Sequence, residues 1–600
     1  MAEIIKLMTR TEIEEKYKWN IENLYNDTKA WEEDFSVLKS KVSGLKELSG
    51  KLESSENILL FLERNVEVSR LLDKLGSYAF LRGDEDTTNS VFQALKNKIS
   101  SYSAEVSSAS SFFIPELLAL PTGTVEKMIE NSQKLQIYEI YLKKILSEKA
   151  HTLSVEEENI LASVEDCLYA GEEVFEMFVG ADLVFPNIKV EDGNEIELTE
   201  GNYRTFIKSK DRRVRIDAYD SYFGTYQKYR RTLATTLTTS MRTCIVTGKV
   251  RKYDSALESA LKPNNIPVTV YENVVDTINN NLASLHRYVN LKKQLLGLEE
   301  MHMYDLYVPL VECGEDYINY EDGVEIALEG IKPLGEEYLN IFKEGIKDRW
   351  VDVYENKGKC AGAYSRGCYD SMPYTLMNYN NQLIDVSTLA HEMGHAIHGY
   401  YSRKSQPYMY WKYDWFCAEV ASTTNECLLM DNLIENEKDK NKKLFLINQQ
   451  LDSMMETIFT RTMLAEFEKI THENIEAGNH LSTDDLCEIF RDLSIRYYGP
   501  DIVVDENVEI KWATIPHFYF DFYMYQYVTG FAAAQSFSKM ILEEGDVAVA
   551  RYKDFLKSGS SDYPINLLKK ANVDMTTPKP LEDTITKFNE LMDIMEKELQ

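Results

Sequence analysis

Residues His391-Glu392-Met393-Gly394-His395 place the tightest constraint on this chain, because they spell H-E-x-x-H. The pattern works as a metal-binding unit on a helix, where positions four apart project from one face. Two imidazoles so placed suit one zinc ion, and Glu392 beside them can take a proton from a water held by that ion. The segment is therefore expected to be helical, with a further ligand arriving from elsewhere in the chain. The implied chemistry is metal-assisted hydrolysis, usually of a peptide bond. The chain has nine histidines in 600 residues, and chance places such a pattern in about one chain of this size in a hundred. The competing reading is an amphipathic helix with two partly exposed histidines.

A catalytic zinc takes a third protein ligand and keeps one open position. Glu419, in FCAEVASTTNE (416–426), is the strongest candidate, 24 residues beyond His395 in a second helix-prone segment. Ser422 and Glu426 share its helical face. Glu426 can hold a ligating histidine through the free ring nitrogen. His398 competes as a ligand, but on a straight helix it stands about 10 Å of rise from His391, far more than bonds of about 2 Å can bridge. It is expected near the site, touching substrate or a carboxylate. Asp385 is expected to cap the metal helix.

Hydrolysis builds negative charge on the former carbonyl oxygen, which calls for donors facing the metal. The segment IPHFYFDFYMYQY (515–527) crowds one histidine and four tyrosines together. Tyr519, Tyr523 and Tyr527 recur every four positions and are expected to share a helix face. Such an aromatic stripe is usually core, but buried phenols need partners, which favours a polar wall. His517 and Tyr523 are assigned as transition-state donors, with Tyr527 next in line and Tyr525 an alternative.

Composition narrows the partners. A net charge of −32 argues against nucleic acid or an anionic membrane, which need clustered Lys and Arg. The opening MAEIIKLMTRTEIEEKYKW has no apolar run for a signal peptide, and no stretch reaches the roughly 20 apolar residues of a membrane span. Eight cysteines lie scattered with no C-x-x-C pair, which suits free thiols in a reducing cytoplasm. Cys417 and Cys427 read as buried structural thiols.

Most segments carry helical periodicity, as in 56–82 and 90–113. Residues 182–199 alternate around Asp192-Gly193-Asn194 and read as a hairpin. It marks a boundary between an N-terminal helical domain, 1–195, and a catalytic domain, 196–600. Segments 301–310, 348–354 and 360–379 read as short strands before the motif, and 435–443 as an exposed loop or helix end. A small sheet beside the metal helix offers an edge that can align an extended peptide.

Taken together, these blocks resemble the oligoendopeptidase F family of thimet-oligopeptidase-like zinc metallopeptidases. The resemblance runs nearly end to end. It is carried by KWNIENLYNDTKAWEEDF (18–35), GAYSRGCYDSMPYTLMNY (362–379), DVSTLAHEMGHAIH (385–398), AEVASTTNE (418–426), IPHFYFDFYMYQYVTG (515–530) and SSDYPINLLKKANVDMTTP (560–578). It implies a mostly α-helical metallopeptidase enclosing a deep substrate cavity, with a small β-sheet beside the zinc helix. It also implies cleavage of short oligopeptides, one Zn2+ per chain on His391, His395 and Glu419, and Glu392 as general base. Two alternatives share this ligand set. One is a helical zinc carboxypeptidase, for which Arg366 is the available cation. The other is a non-catalytic peptide-binding relative, against which the intact Glu392 argues.

Overall fold

A computed structural model describes residues 7–311 and 317–599. Residues 1–6 of the opening segment and Cys313 lie outside them. Helices dominate, and the strands are two or three residues long. Contacts divide the chain into two compact units, each assembled from three stretches: Met1–Ala150, Glu315–Asn432 and Phe537–Asn572 form one, and His151–Gly314, Leu433–Ser536 and Val573–Gln600 the other. This partition by packing cuts across the expected division at residue 195, which is a division of sequence.

In the first unit, helices Thr28–Lys46, Ser55–Glu85 and Ser90–Ser110 pack together. The first shows why they form. Asp27 accepts a hydrogen bond from the Ala30 amide at 2.8 Å, capping an orphan donor. Trp31, Phe35, Leu38, Val42 and Leu45 then recur at helical spacing, and all are buried. Each such side chain contributes about 1.5–3 kcal/mol when removed from water. The same core runs on into Cys368, Tyr374 and Leu376, so the N-terminal helices and the sheet share one interior.

That sheet has three strands. Tyr374–Leu376 is central, parallel to Val351–Asp352 and antiparallel to Tyr364–Arg366, with Ser365 opposite Thr375. Asp352 anchors one edge: its buried carboxylate accepts from Arg10 Nη1 at 2.7 Å and faces Lys359 Nζ at 2.8 Å. Tyr364–Arg366 is the other edge, and it packs against the helix Leu383–Ser405 that carries H-E-x-x-H. A small sheet thus lies beside the H-E-x-x-H helix, as expected.

The second unit gathers helices such as Arg230–Val250, Val268–Asn279, Arg461–Glu476 and Thr483–Tyr498. The expected hairpin is present: Asn187–Lys189 pairs antiparallel with Glu195–Glu197. Gly193 turns it at φ 85°, and Asp192 Oδ1 accepts from the Asn194 amide at 2.9 Å. From 301–310, only Met301–His302 is a strand, paired parallel with Ile502–Val503. Among the described residues, no helix is long and apolar enough to cross a membrane, and the seven cysteines are free thiols.

Candidate metal centre

Helix Leu383–Ser405 begins two residues before Asp385, so the cap position is Gln382 and Asp385 acts instead from the third helical position. Asp385 Oδ2 accepts from the amides of Asn380 and Gln382, each at 2.9 Å, which closes the first turn. The helix crosses Trp415–Asn436 at very close range, and Gly394 makes the crossing possible. A Cβ there would stand 2.7 Å from Ser422 Cα and 2.8 Å from the Ala421 carbonyl oxygen. The crossing is pinned by Asn425, which donates to the Ala390 carbonyl at 2.9 Å and accepts from the Tyr338 hydroxyl at 3.0 Å, all of it buried. Gly394 sits inside the motif, so its role had a visible signal; that of Asn425 had none.

The crossing brings three donors together. His391 Nε2 and His395 Nε2 stand 3.2 Å apart, and Glu419 Oε2 lies 3.3 Å from each. A tetrahedral ion with bonds of about 2.0–2.1 Å holds its ligands about 3.3 Å apart. The triangle therefore fits one face of such a site, and two imidazoles with a carboxylate are the donor types zinc prefers.

The surroundings hold these donors in place. Glu426 Oε2 accepts from His391 Nδ1 at 3.0 Å, which leaves Nε2 to face the triangle. Ser387 Oγ donates to Glu426 Oε1 at 3.3 Å, and Ser422 Oγ to Glu419 Oε2 at 2.9 Å. Burial alone would lower the His391 pKa, but Glu419 and Glu426 override it and raise it to about 10. Burial likewise opposes ionisation of Glu419, yet His391 and His395 hold its carboxyl well below the usual range. The site thus favours positive charge at its centre.

Glu392 is 6% exposed, and its Oε2 is buried without a hydrogen-bond partner. Burial pushes its pKa up, partly opposed by His391 and His395. His398 has a different setting from the expected contact with substrate or a carboxylate. It is 1% exposed, and its ring stacks on Tyr413 with centroids 3.8 Å apart. Burial, aided by His395, pushes it down to about 3, so it stays neutral. Arg366 lies on the sheet edge with its guanidinium 4.5 Å from the centre of the Phe80 ring.

In the second unit, the 515–527 segment departs from the expected continuous helix. Pro516–Tyr519 is a tight 3-10 turn, and the helix begins only at Tyr525. Between them Asp521 and Phe522 have φ of 25° and 57°, which breaks the periodicity. Tyr519 consequently leaves the group: its hydroxyl meets Thr236 Oγ1 at 2.9 Å and its ring stacks on Phe175. Tyr525 is buried against Tyr271. His517, Tyr523 and Tyr527 do converge. His517 Nε2 stands 3.0 Å from the Tyr527 hydroxyl, and the Tyr523 ring lies 6.1 Å from His517 and 5.5 Å from Tyr527. Burial and then Arg461 lower the His517 pKa.

The sequence profile of "Peptidase family M3" matches residues 205–587, and that of "Oligopeptidase F" matches 116–185. Oligopeptidase PepF of Bacillus subtilis is 42% identical, covering 99% of this chain and 88% of its own. Group B oligopeptidase PepB of Streptococcus agalactiae is 37% identical over 97% of both chains. The crystal structure of oligoendopeptidase-F from Enterococcus faecium is 35% identical and superposes with a TM-score of 0.74, covering 95% of this chain and 99% of that one. The chain therefore belongs to peptidase family M3, as a metalloendopeptidase of the oligopeptidase F type.

Proposed function

We propose that the chain is a zinc-dependent cytoplasmic endopeptidase that cuts internal bonds of short oligopeptides. The observation that carries this reading is the triangle of His391, His395 and Glu419, with sides of 3.2, 3.3 and 3.3 Å. These residues hold the catalytic ion. When bound, zinc supplies a Lewis acid that acidifies a water and polarises the scissile carbonyl.

Every other task falls to side chains. Glu392 takes the proton of the attacking water and passes it to the leaving amine. Its burial supports this role, because a carboxyl with a raised pKa is a better proton acceptor. Glu426 orients His391, and Ser422 orients Glu419. His517 and Tyr523 donate to the developing oxyanion. Their convergence with Tyr527 supports the assignment, as does the lowered pKa that keeps His517 neutral. The edge strand Tyr364–Arg366 takes the extended substrate backbone.

Mass spectrometry of the products from a short unstructured peptide blocked at both ends tests the reading. Internal cleavage is expected, with a stably folded protein left intact. Failure to cut blocked peptides, with stepwise loss of C-terminal residues from free ones, would overturn it in favour of a carboxypeptidase.

A further inference from the structure

A second group of metal-ligating side chains lies in the other compact unit, among residues that no peptidase step uses. Three chain segments converge there. Cys244 sits on helix Arg230–Val250, His472 on helix Arg461–Glu476, and Asp521 in the left-handed turn ahead of Tyr523. The Cys244 sulfur, a His472 ring nitrogen and an Asp521 carboxylate oxygen all lie within 4.8 Å of one another.

The ring of His472 shows which nitrogen is available. Its Nδ1 stands 2.8 Å from the Glu468 carbonyl oxygen. A carbonyl only accepts, so Nδ1 carries the proton, and Nε2 of the neutral ring is left with a lone pair. A main-chain carbonyl holding the far nitrogen is how metal-bound histidines are commonly oriented. His472 is 2% exposed, and its Nε2 is buried with no hydrogen-bond partner.

Glu468 sits one turn earlier on the same helix face. Its Oε1 accepts from the Phe522 amide at 2.6 Å, while its Oε2 is buried without a partner. Asp521 is exposed, and a Cys244 thiol simply hydrogen-bonded to it leaves both of these buried atoms without a partner, which costs free energy. Cys244 and Asp521 also line an open cavity of about 140 Å3 with Thr243, Thr247, Tyr169 and Tyr519, so an ion and a water have a way in.

We infer that Cys244, His472 and Asp521 form a second metal site, distinct from the H-E-x-x-H centre, for a divalent transition ion of the zinc type. Thiolate, imidazole and carboxylate together select such an ion over magnesium or calcium. Bonds of about 2.0–2.3 Å require donors about 3.3–3.8 Å apart, so side-chain movements of about 1 Å complete the set. Glu468 Oε2 or a water from the cavity fills the fourth position. Binding releases the Cys244 proton to solvent. The ion ties two helices to the turn Asp521–Phe522, which separates His517 from Tyr523, and so braces the backbone that sets those two side chains.

Cobalt separates the two sites by colour, because the H-E-x-x-H centre has no sulfur ligand. Metal-depleted full-length protein titrated with Co2+ should bind two equivalents, one of them raising a near-ultraviolet thiolate-to-cobalt charge-transfer band. His391→Ala should keep that band. Cys244→Ser and His472→Gln should each lose it along with one equivalent of metal. A single equivalent in the wild-type protein, or the absence of the band from it, overturns the proposal whatever the variants do. A band that survives Cys244→Ser also overturns it.

Discussion

His391 donates its Nδ1–H to Glu426 Oε2 at 3.0 Å, and this single hydrogen bond decides which nitrogen faces Glu419 and His395. Glu426→Ala frees the ring to rotate and to change tautomer. Losing such a supporting carboxylate typically weakens metal binding about 10–100-fold. Competition with a chromophoric chelator measures it; an unchanged zinc affinity would show that the helices alone fix the ring.

Glu419 and His398 should behave oppositely. Glu419→Ala removes one corner of the triangle and should weaken zinc more than Glu426→Ala does. His398→Phe keeps an aromatic ring between Tyr413 and Phe555 and should leave metal content intact after dialysis. Loss of zinc from the His398 variant with retention in the Glu419 variant would reverse the ligand assignment.

Gly394→Ala tests the helix crossing. The added methyl meets main-chain atoms at 2.7 and 2.8 Å, which cannot swing aside as a side-chain tip would. Overpacking of this kind costs about 1–3 kcal/mol. Urea unfolding of the metal-free protein should shift to lower midpoint, and zinc affinity should fall as Glu419 moves away. Stability equal to that of the native chain would mean that the crossing is looser than described.

Much of this centre was legible in the sequence, because it is built from local spacing. His391 and His395 share a face by the four-residue rule, and so do Glu419, Ser422 and Glu426. The aromatic segment departs from helical spacing where its backbone leaves the helix. Asp521 and Phe522 adopt positive φ without being glycine, so periodicity carried Tyr519 onto a face it does not share. Asn425 looks like any polar helix residue until its amide is seen bridging Ala390 and Tyr338. Cys244, His472 and Asp521 lie 228 and then 49 residues apart, and only packing joins them.

Acid should weaken the second unit through Asp305. Burial alone would raise its pKa, but Arg212 and Arg215, with the His302 amide, lower it below the ordinary 3.8. A depressed carboxyl contributes stability above its unfolded pKa, and that contribution is lost as pH falls through the folded value. Asp305→Asn should cost about 2–3 kcal/mol near neutral pH and should flatten the fall in stability below about pH 4. Thermal unfolding across pH 2–7 checks both. An unchanged acid slope would assign the effect to other carboxylates.

In the proposed mechanism Glu392 moves the proton while His391, His395 and Glu419 hold the metal. Zinc content and turnover of an end-blocked peptide, measured together on Glu392→Gln, separate these two roles. The expected outcome is one equivalent of zinc at the H-E-x-x-H centre, as in the native chain, with kcat reduced about 100–10,000-fold, the range a general base supplies. Full zinc at that centre with near-native turnover would contradict it.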